Sequence, residues 1–147
     1  DTWSHTEMQR YLLGLSDRVA WRLRRDGFLT CSVTVYARYG DFSGVERVHR
    51  FREATADGLR LFQIAWRLLR PNLSREQPIR LLGISASQLV SGTEPTSLFR
   101  KEQKMTRAIR ALDSIQRRWG DHAWTRASLL RTSLLTRTSG FAYDHEA

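Results

Sequence analysis

The start of the chain carries apolar side chains every three or four positions, which is the spacing of one face of an α-helix. Ser4 followed by Glu7 matches the capping-box pattern of a helix start. Gly27, after two arginines, is a typical helix stop. The pattern therefore predicts a first helix over residues 5–25. Its apolar positions are Met8, Leu12, Leu15, Val19 and Leu23, with Tyr11 alongside.

Alternating apolar and polar residues then predict a β-strand over residues 30–39. The glycines of "YGDFSG" (residues 39–44) predict a turn, and residues 45–52 form the predicted return strand. The alternation of this second strand is poor, which indicates a bulge or an arm exposed on one side. The first strand alternates Val33, Val35, Ala37 and Tyr39 with Ser32, Thr34, Tyr36 and Arg38.

Helical spacing returns after the hairpin and predicts a second helix, which either Thr55 or Asp57 caps. Pro71 stands just past its end. A third strand is predicted over residues 79–90. The apolar side of the second helix consists of Leu59, Phe62, Ile64, Ala65, Trp66 and Leu69.

The composition changes at Ser91, where "SGTEPTS" has the composition of a linker. An amphipathic helix is predicted over residues 100–119. The following residues are rich in Ser, Thr and Arg without a strong period, and we expect a tail that orders only in part or on a partner. The chain thus divides into a domain over residues 1–92 and an appendage over residues 93–147.

The predicted order of elements is helix, strand, strand, helix, strand and tail, which is typical of an α+β fold. We expect a small, mostly antiparallel sheet with two helices on one face, followed by a helical tail. A helix that opens such a unit suggests that a first strand precedes residue 1. The chain also begins with Asp1 rather than Met, as a fragment or a processed product would.

Charge narrows the class of partner. The 147 residues include 24 basic and 15 acidic side chains, a formal net charge of +9, and Lys101 and Lys104 are the only lysines. Arginine suits phosphate because its planar fork bonds two oxygens at once, although a GC-rich genome would also enrich arginine. The balance favours nucleic acid as the partner. The sequence contains no apolar run of about 18 residues, which is the length that would span a membrane.

Catalytic chemistry is not indicated. The histidines 5, 49, 122 and 145 sit in different segments without metal-ligand spacing. No glycine-rich phosphate loop or nucleophile elbow occurs. Asp41 is interpreted as a cap of its own turn, and the single cysteine, Cys31, as a small apolar strand residue. We expect no catalytic residue, no metal, no cofactor and no small-molecule substrate in this chain.

Binding is better supported, because helices on one face leave the other face of the sheet open. Exposed rings on adjacent strands, which single-stranded RNA needs for stacking, are represented by Tyr36 alone. A surface that follows duplex phosphates fits better, and an ordinary solvated sheet face is the alternative. The candidates for this open face are Thr34, Tyr36, Arg38, Arg47, His49, Arg50, Arg80, Ser85 and Ser87.

Two segments share motifs with a known family. Arg25 and Gly27 precede "SVTVYARYGDFSGVERVHRF" (residues 32–51), and "IRLLGISASQLV" (residues 79–90) follows. In order and spacing these segments resemble the C-terminal "little finger" domain of bacterial Y-family translesion DNA polymerases of the DinB and UmuC type.

The resemblance implies a four-stranded sheet with two helices, whose first strand would be missing here. It implies binding along the major groove of primer–template DNA through backbone phosphates. The palm domain, with its metal-binding carboxylates, magnesium and nucleotidyl transfer, would precede residue 1. The whole protein would be a cytoplasmic, nucleoid-associated bacterial enzyme of DNA repair and SOS mutagenesis.

The linker also resembles a sliding-clamp peptide, through Ser97, Leu98 and Phe99. Pro95 occupies the position at which that peptide usually has glutamine. The clamp is therefore a second expected partner. The alternative is that Leu98 and Phe99 pack against the start of the third helix.

Two positions depart from the family pattern: His49 stands where arginine is common, and Glu46 where threonine is common. Glu46 would repel phosphate unless it pairs with Arg38 or Arg47. Other functions stay open, namely a catalytically inactive polymerase-like scaffold recruited by the clamp, a free-standing RNA-binding module, and a protein-interaction domain. In the last case the apolar stripe of the helix over residues 100–119 would bind the partner.

Overall fold

The first helix, α1 (His5–Asp26), begins and ends where its capping residues predict. The Ser4 hydroxyl accepts a hydrogen bond from the Glu7 backbone N–H at 3.3 Å. Gly27 ends the helix with φ +76°, a left-handed conformation that glycine adopts without steric cost. The computed structural model describes residues 4–74, 76–95 and 97–130.

The predicted α+β class is confirmed. After α1 the elements are β1 (Phe28–Tyr39), β2 (Gly44–Thr55), α2 (Gly58–Leu69), β3 (Ile79–Ser91) and α3 (Arg100–Trp119). Single 3₁₀ turns follow at Arg70–Asn72 and Ala127–Leu129. Asp57, not Thr55, caps α2, because its carboxylate accepts a hydrogen bond from the Leu59 backbone N–H at 3.0 Å.

The sheet contains three strands within the described residues, in the order β2-β1-β3, and both pairings are antiparallel. Helices α1 and α2 cover one face. The central strand β1 supplies Val33 and Val35 to the core, and both are fully buried. The helices bury Leu12, Leu23, Leu61 and Leu69 against that face.

The poor alternation of β2 has two structural causes. The strand lies at the edge of the sheet, so much of it faces water. Its register against β1 also shifts between the Thr30↔Thr55 and Ser32↔Arg50 pairs, which is the predicted bulge.

The appendage docks on α1 through polar contacts. Arg24 of α1 forms a bidentate ion pair with the buried Asp113 of α3, at 2.7 and 2.9 Å. Farther along, Arg126 forms a second bidentate pair with Asp17, at 2.6 and 2.9 Å. Asp17 raises the pKa of Arg126, so this guanidinium stays charged at any working pH.

The tail is thus held on α1 as far as residue 130, and Leu129 is buried there. The rest of the predicted tail, residues 131–147, lies outside the described residues. None of the described helices is long and apolar enough to cross a membrane.

Candidate nucleic-acid interface

The two faces of the sheet differ because residues directly opposite each other in antiparallel strands point to the same face. Val33, Val35 and Ala37 of β1 are buried beneath the helices. The residues between them, Thr34, Tyr36 and Arg38, therefore point to the other face, which no described helix covers. This uncovered side is called the open face below.

Strand β2 contributes Arg50 to the open face, since Arg50 pairs with Ser32. Val48 pairs with Thr34 and Glu46 with Tyr36, so they lie on the same face. The side chain of Val48 is 56% exposed, as expected for a sheet surface without a covering layer.

Arg47 and His49 were expected on the open face, and this placement is wrong. Arg47 pairs with Val35 and His49 with Val33, so both point to the helix-covered side at the β2 edge. Arg47 donates a hydrogen bond to the Asn72 side chain at 2.6 Å. The His49 ring contacts the buried Phe51 ring edge-on, with centroids 5.0 Å apart.

The physical reason for this error is the period of a strand. A shift of one residue in register moves every side chain to the opposite face. The irregular sequence of β2 contains no clear apolar face that would fix this register. Only the pairing with β1 reveals which arginines share a surface.

Strand β3 adds hydroxyl groups to the open face. Ser85 pairs with Thr34, and Ser87 pairs with Ser32. Arg80 lies at a second irregularity, where the β1–β3 register shifts between Arg38 and Tyr39. Its guanidinium lies 5.4 Å from the centre of the exposed Phe42 ring, so Arg80 marks the hairpin end of the sheet.

Tyr36 is less available for base stacking than the sequence suggests. Its ring lies across Gly83, the directly paired residue of β3. A side chain at position 83 would overlap with that ring. The ring therefore lies low against the sheet and is only partly exposed, which agrees with a surface for backbone contacts rather than for stacked bases.

Two open-face arginines retain free hydrogen-bonding capacity. Within the described ranges, neither Arg38 nor Arg50 forms an ion pair. They are six β1 positions apart, about 20 Å at the usual rise of a strand. Glu46, which pairs with Tyr36, lies between the two arginines. It too forms no ion pair among the residues the structure describes. It therefore lowers the positive potential at the centre of the face.

Asp41 confirms its predicted role at the β1–β2 turn. Its carboxylate accepts hydrogen bonds from the backbone N–H and the hydroxyl of Ser43, at 2.9 and 2.6 Å. These bonds lower the pKa of Asp41. Among the described residues, no group of three or more His, Cys, Asp or Glu side chains could hold a metal ion.

The clamp-like segment is exposed. The Ser97 hydroxyl accepts a hydrogen bond from the Phe99 backbone N–H at 3.1 Å, and the Ser97 carbonyl accepts one from the Gln103 side chain at 2.9 Å. Leu98 is 94% exposed and Phe99 71% exposed. The alternative that both residues pack against the start of the third helix is therefore wrong.

Sequence reasoning missed the docking of α3. Arg24 was read only as part of a helix end, and Asp113 was not singled out. The two residues are 89 positions apart, and nothing local indicates that they meet. The one signal in the sequence was the position of this acid, which stands next to the apolar side of an amphipathic helix, four residues after Ile109.

An antiparallel sheet with two helices on one face and a bare second face defines a small α+β domain of the little-finger type. The chain belongs to the impB/mucB/samB family, whose C-terminal domain matches residues 1–98. The resemblance to the C-terminal domain of Y-family polymerases is thereby confirmed. The match ends in the linker before α3.

Several curated relatives extend the comparison. The chain is 27% identical to a DNA polymerase IV of Pelotomaculum thermopropionicum, over 99% of this chain and 36% of the relative. It is 31% identical to a DNA polymerase IV of Desulfatibacillum aliphaticivorans, over 84% of this chain and 33% of the relative. A DNA polymerase IV 2 of Mesorhizobium japonicum is 35% identical over 76% of this chain. The chain spans about a third of the length of the first two relatives.

Proposed function

We propose that this domain binds the backbone of primer–template DNA through the open face, as the C-terminal domain of a translesion DNA polymerase. The observation that carries the proposal is the strand register, which puts Arg38, Arg50 and a row of hydroxyls on the uncovered face. The family membership and the relatives named DNA polymerase IV support DNA as the ligand. Catalysis and its magnesium ions would belong to a palm domain outside this chain.

The mechanism is contact with phosphates without reading bases. The separation of Arg38 and Arg50, about 20 Å by strand rise, exceeds the major-groove width of about 12 Å. The two guanidiniums can therefore reach phosphates on both borders of the groove, and each can bond two oxygens. The hydroxyls of Thr34, Ser85 and Ser87 lie between the two arginines and can donate neutral hydrogen bonds to the DNA backbone.

The remaining predicted contacts would lie at the borders of this surface. Arg80, at the hairpin end, can extend the contact along the duplex. Arg47 and His49 can reach DNA only around the β2 edge, so we assign them a smaller contribution. Such contacts tolerate a distorted template, because they depend on backbone charge and not on base identity. We expect the protein to act on chromosomal DNA in the cytoplasm, at the nucleoid.

Fluorescence anisotropy with labelled primer–template duplex at several salt concentrations tests this function. The double variant Arg38→Gln/Arg50→Gln should lower the slope of log affinity against log salt by about 2 units, because each lost phosphate contact removes about 0.9. The matched control is Arg67→Gln/Arg70→Gln, two exposed arginines of the helix layer. Equal losses in both double variants would contradict a specific role for the open face.

A second role, recruitment by a sliding clamp, is proposed for Ser97, Leu98 and Phe99. Two adjacent large apolar side chains are exposed beside a hydrogen-bonded serine, and exposed apolar pairs of this kind suit an apolar pocket on a partner. Surface plasmon resonance with immobilised sliding clamp tests this role. An absence of clamp binding would contradict this second role, but it would not bear on the proposed binding of DNA.

A further inference from the structure

Helix α3 carries a large share of the positive charge of the chain. Its 20 residues include seven basic side chains and two acidic ones. More than half of the formal net charge of +9 therefore comes from this helix. The match to the family domain ends at residue 98, so this charge lies outside the little finger.

Four of these cations lie on one face of α3. Arg100, Lys104, Arg107 and Arg118 follow the three- and four-residue spacing of one helix face, and all four are exposed. They are called the basic stripe below. At a rise of 1.5 Å per residue the basic stripe is about 27 Å long, and its first three members span about 10 Å.

Both acids lie on the other side of the helix. At 100° per residue, Glu102 lies about 160° and Asp113 about 140° around the helix axis from Arg100. Asp113 is neutralised by Arg24, and Glu102 accepts a hydrogen bond from the Ser97 hydroxyl. Asp113 is thus paired, and Glu102, which keeps its charge, lies on the far side of the helix, so acids of α3 offset the field of the basic stripe only in part.

Two features indicate that the positive charge of α3 is not explained by the high arginine content of the whole chain alone. The only lysines of the chain, Lys101 and Lys104, are both on α3. Arg100 and Lys101 also occupy the first turn, where the helix dipole disfavours cations, and the N-cap residue Phe99 makes no side-chain capping bond. A bound polyanion would offset the repulsion between these cations and the helix dipole, and it would accept hydrogen bonds in place of the missing side-chain cap.

The basic stripe and the open face are different surfaces. Helix α3 is held to Arg24 of α1, and α1 covers the opposite face of the sheet. A duplex lying on the open face is therefore separated from the basic stripe by the sheet and a helix layer. A flexible single strand that leaves the duplex can follow such a separate surface.

Trp119 favours a single strand over a duplex. Its ring is 70% exposed at the end of α3, and the Arg118 guanidinium lies 5.2 Å from the ring centre. Exposed aromatic rings beside cations bind unpaired bases by stacking, whereas a duplex hides its base faces. Asp121 and the tail cover the inner side of the helix, not this ring.

We infer that α3 is a second nucleic-acid surface, which binds single-stranded DNA through the phosphates at Arg100, Lys104, Arg107 and Arg118 and a base stacked on Trp119. The inference does not depend on DNA binding by the open face. If both are correct, the little-finger domain holds the duplex on its open face, and α3 holds an unpaired strand on the opposite side of the protein.

The chain offers a matched pair of variants for the test. Lys104→Gln/Arg107→Gln/Arg118→Gln removes three charges from the basic stripe. Lys101→Gln/Arg110→Gln/Arg117→Gln removes one lysine and two arginines from the flanks of the same helix. Both triples are titrated into labelled oligothymidylate over a range of salt, and circular dichroism checks that each stays helical.

The stripe triple should lower the slope of log affinity against log salt by about 2 units, at about 0.7 per phosphate of a single strand. The flank triple should change it by less than about 1 unit. Trp119→Ala should weaken binding at least about fivefold, which is the lower range for one stacked base. The open-face variant Arg38→Gln/Arg50→Gln should retain the stripe-dependent part of the slope.

Three results would overturn the inference. Equal losses in the two triples would mean that only the net charge of α3 matters. Equally tight, stripe-dependent binding of polyglutamate would point to an acidic protein partner. Unchanged oligothymidylate binding in the stripe triple would exclude a single-strand surface on α3. None of these results bears on duplex binding by the open face.

Discussion

Tyr36 and Gly83 lie directly opposite each other on the open face, and the ring of Tyr36 occupies the space that a side chain at position 83 would need. The glycine thus permits a flat aromatic ring in the centre of the proposed DNA surface. Because the ring crosses from β1 to β3, it also couples the two strands.

Gly83→Ala should displace the Tyr36 ring and destabilise the domain by about 1–3 kcal/mol, the usual cost of overpacking. Urea unfolding measures the change. In a Tyr36→Ala background the same substitution should cost less, which would show coupling between the two sites. Gly40→Ala is the control, since a Cβ there meets nothing within 4 Å; equal effects at both glycines would contradict the contact.

Arg50→Ala should weaken duplex binding more than Arg47→Ala. Arg50 lies on the open face without an ion-pair partner in the described part of the chain, whereas Arg47 lies on the helix-covered side and bonds Asn72. The salt slope should fall by about 0.9 for Arg50→Ala and change little for Arg47→Ala. Duplexes of several sequences should respond alike, and a base-dependent loss would count against backbone contact.

Leu98→Ala/Phe99→Ala should abolish clamp binding without unfolding the domain. Both side chains are largely exposed, so the change in stability should stay within about 0.5 kcal/mol. Met105→Ala, at a position 57% exposed on α3, is the control and should bind the clamp normally. Pro95→Gln should strengthen binding, because it supplies an amide that can donate and accept hydrogen bonds.

Asp113→Ala should release α3 from α1. The substitution leaves Arg24 only 19% exposed and without its carboxylate, and breaking a buried ion pair costs about 3 kcal/mol. Faster hydrogen exchange of the α3 amides is the direct readout. Asp26→Ala removes a carboxylate from a more exposed pair and should cost less than about 1 kcal/mol. Unchanged exchange in Asp113→Ala would show that other contacts hold the helix.

The hairpin turn should lose stability in acid. Ser43 lowers the pKa of Asp41 below its ordinary value of 3.8, so the folded state holds the ionised form more favourably than the unfolded state does. This contribution is present above pH 3.8 and is lost as the pH falls through the folded-state pKa. Asp41→Ala should therefore lower the urea midpoint at neutral pH, and the difference from the wild type should shrink below pH 4. A difference that grows in acid would contradict this assignment.

Much of the local structure could be predicted because its causes are local. Ser4 and Gly27 mark the ends of α1 through backbone groups within one helical turn. The amphipathic spacing over residues 100–119 predicts α3 with the bounds that the structure shows. The alternation of β1 identifies its buried side, since Val33, Val35 and Ala37 repeat with the period of a strand.

The composition of the candidate surface depended on contacts that no local pattern specifies. The sequence by itself determined the elements, the α+β class and the excess of arginine, because these follow from short-range spacing and from composition. Only the tertiary structure decided that Arg50 shares a face with Arg38 while Arg47 and His49 do not. The reason is that a shift of one residue in register moves every side chain of a strand to the opposite face of the sheet. The tertiary structure also decided that α3 is held to α1 by Arg24 and Asp113, a pairing of residues far apart in the chain that becomes favourable only when the fold brings them together.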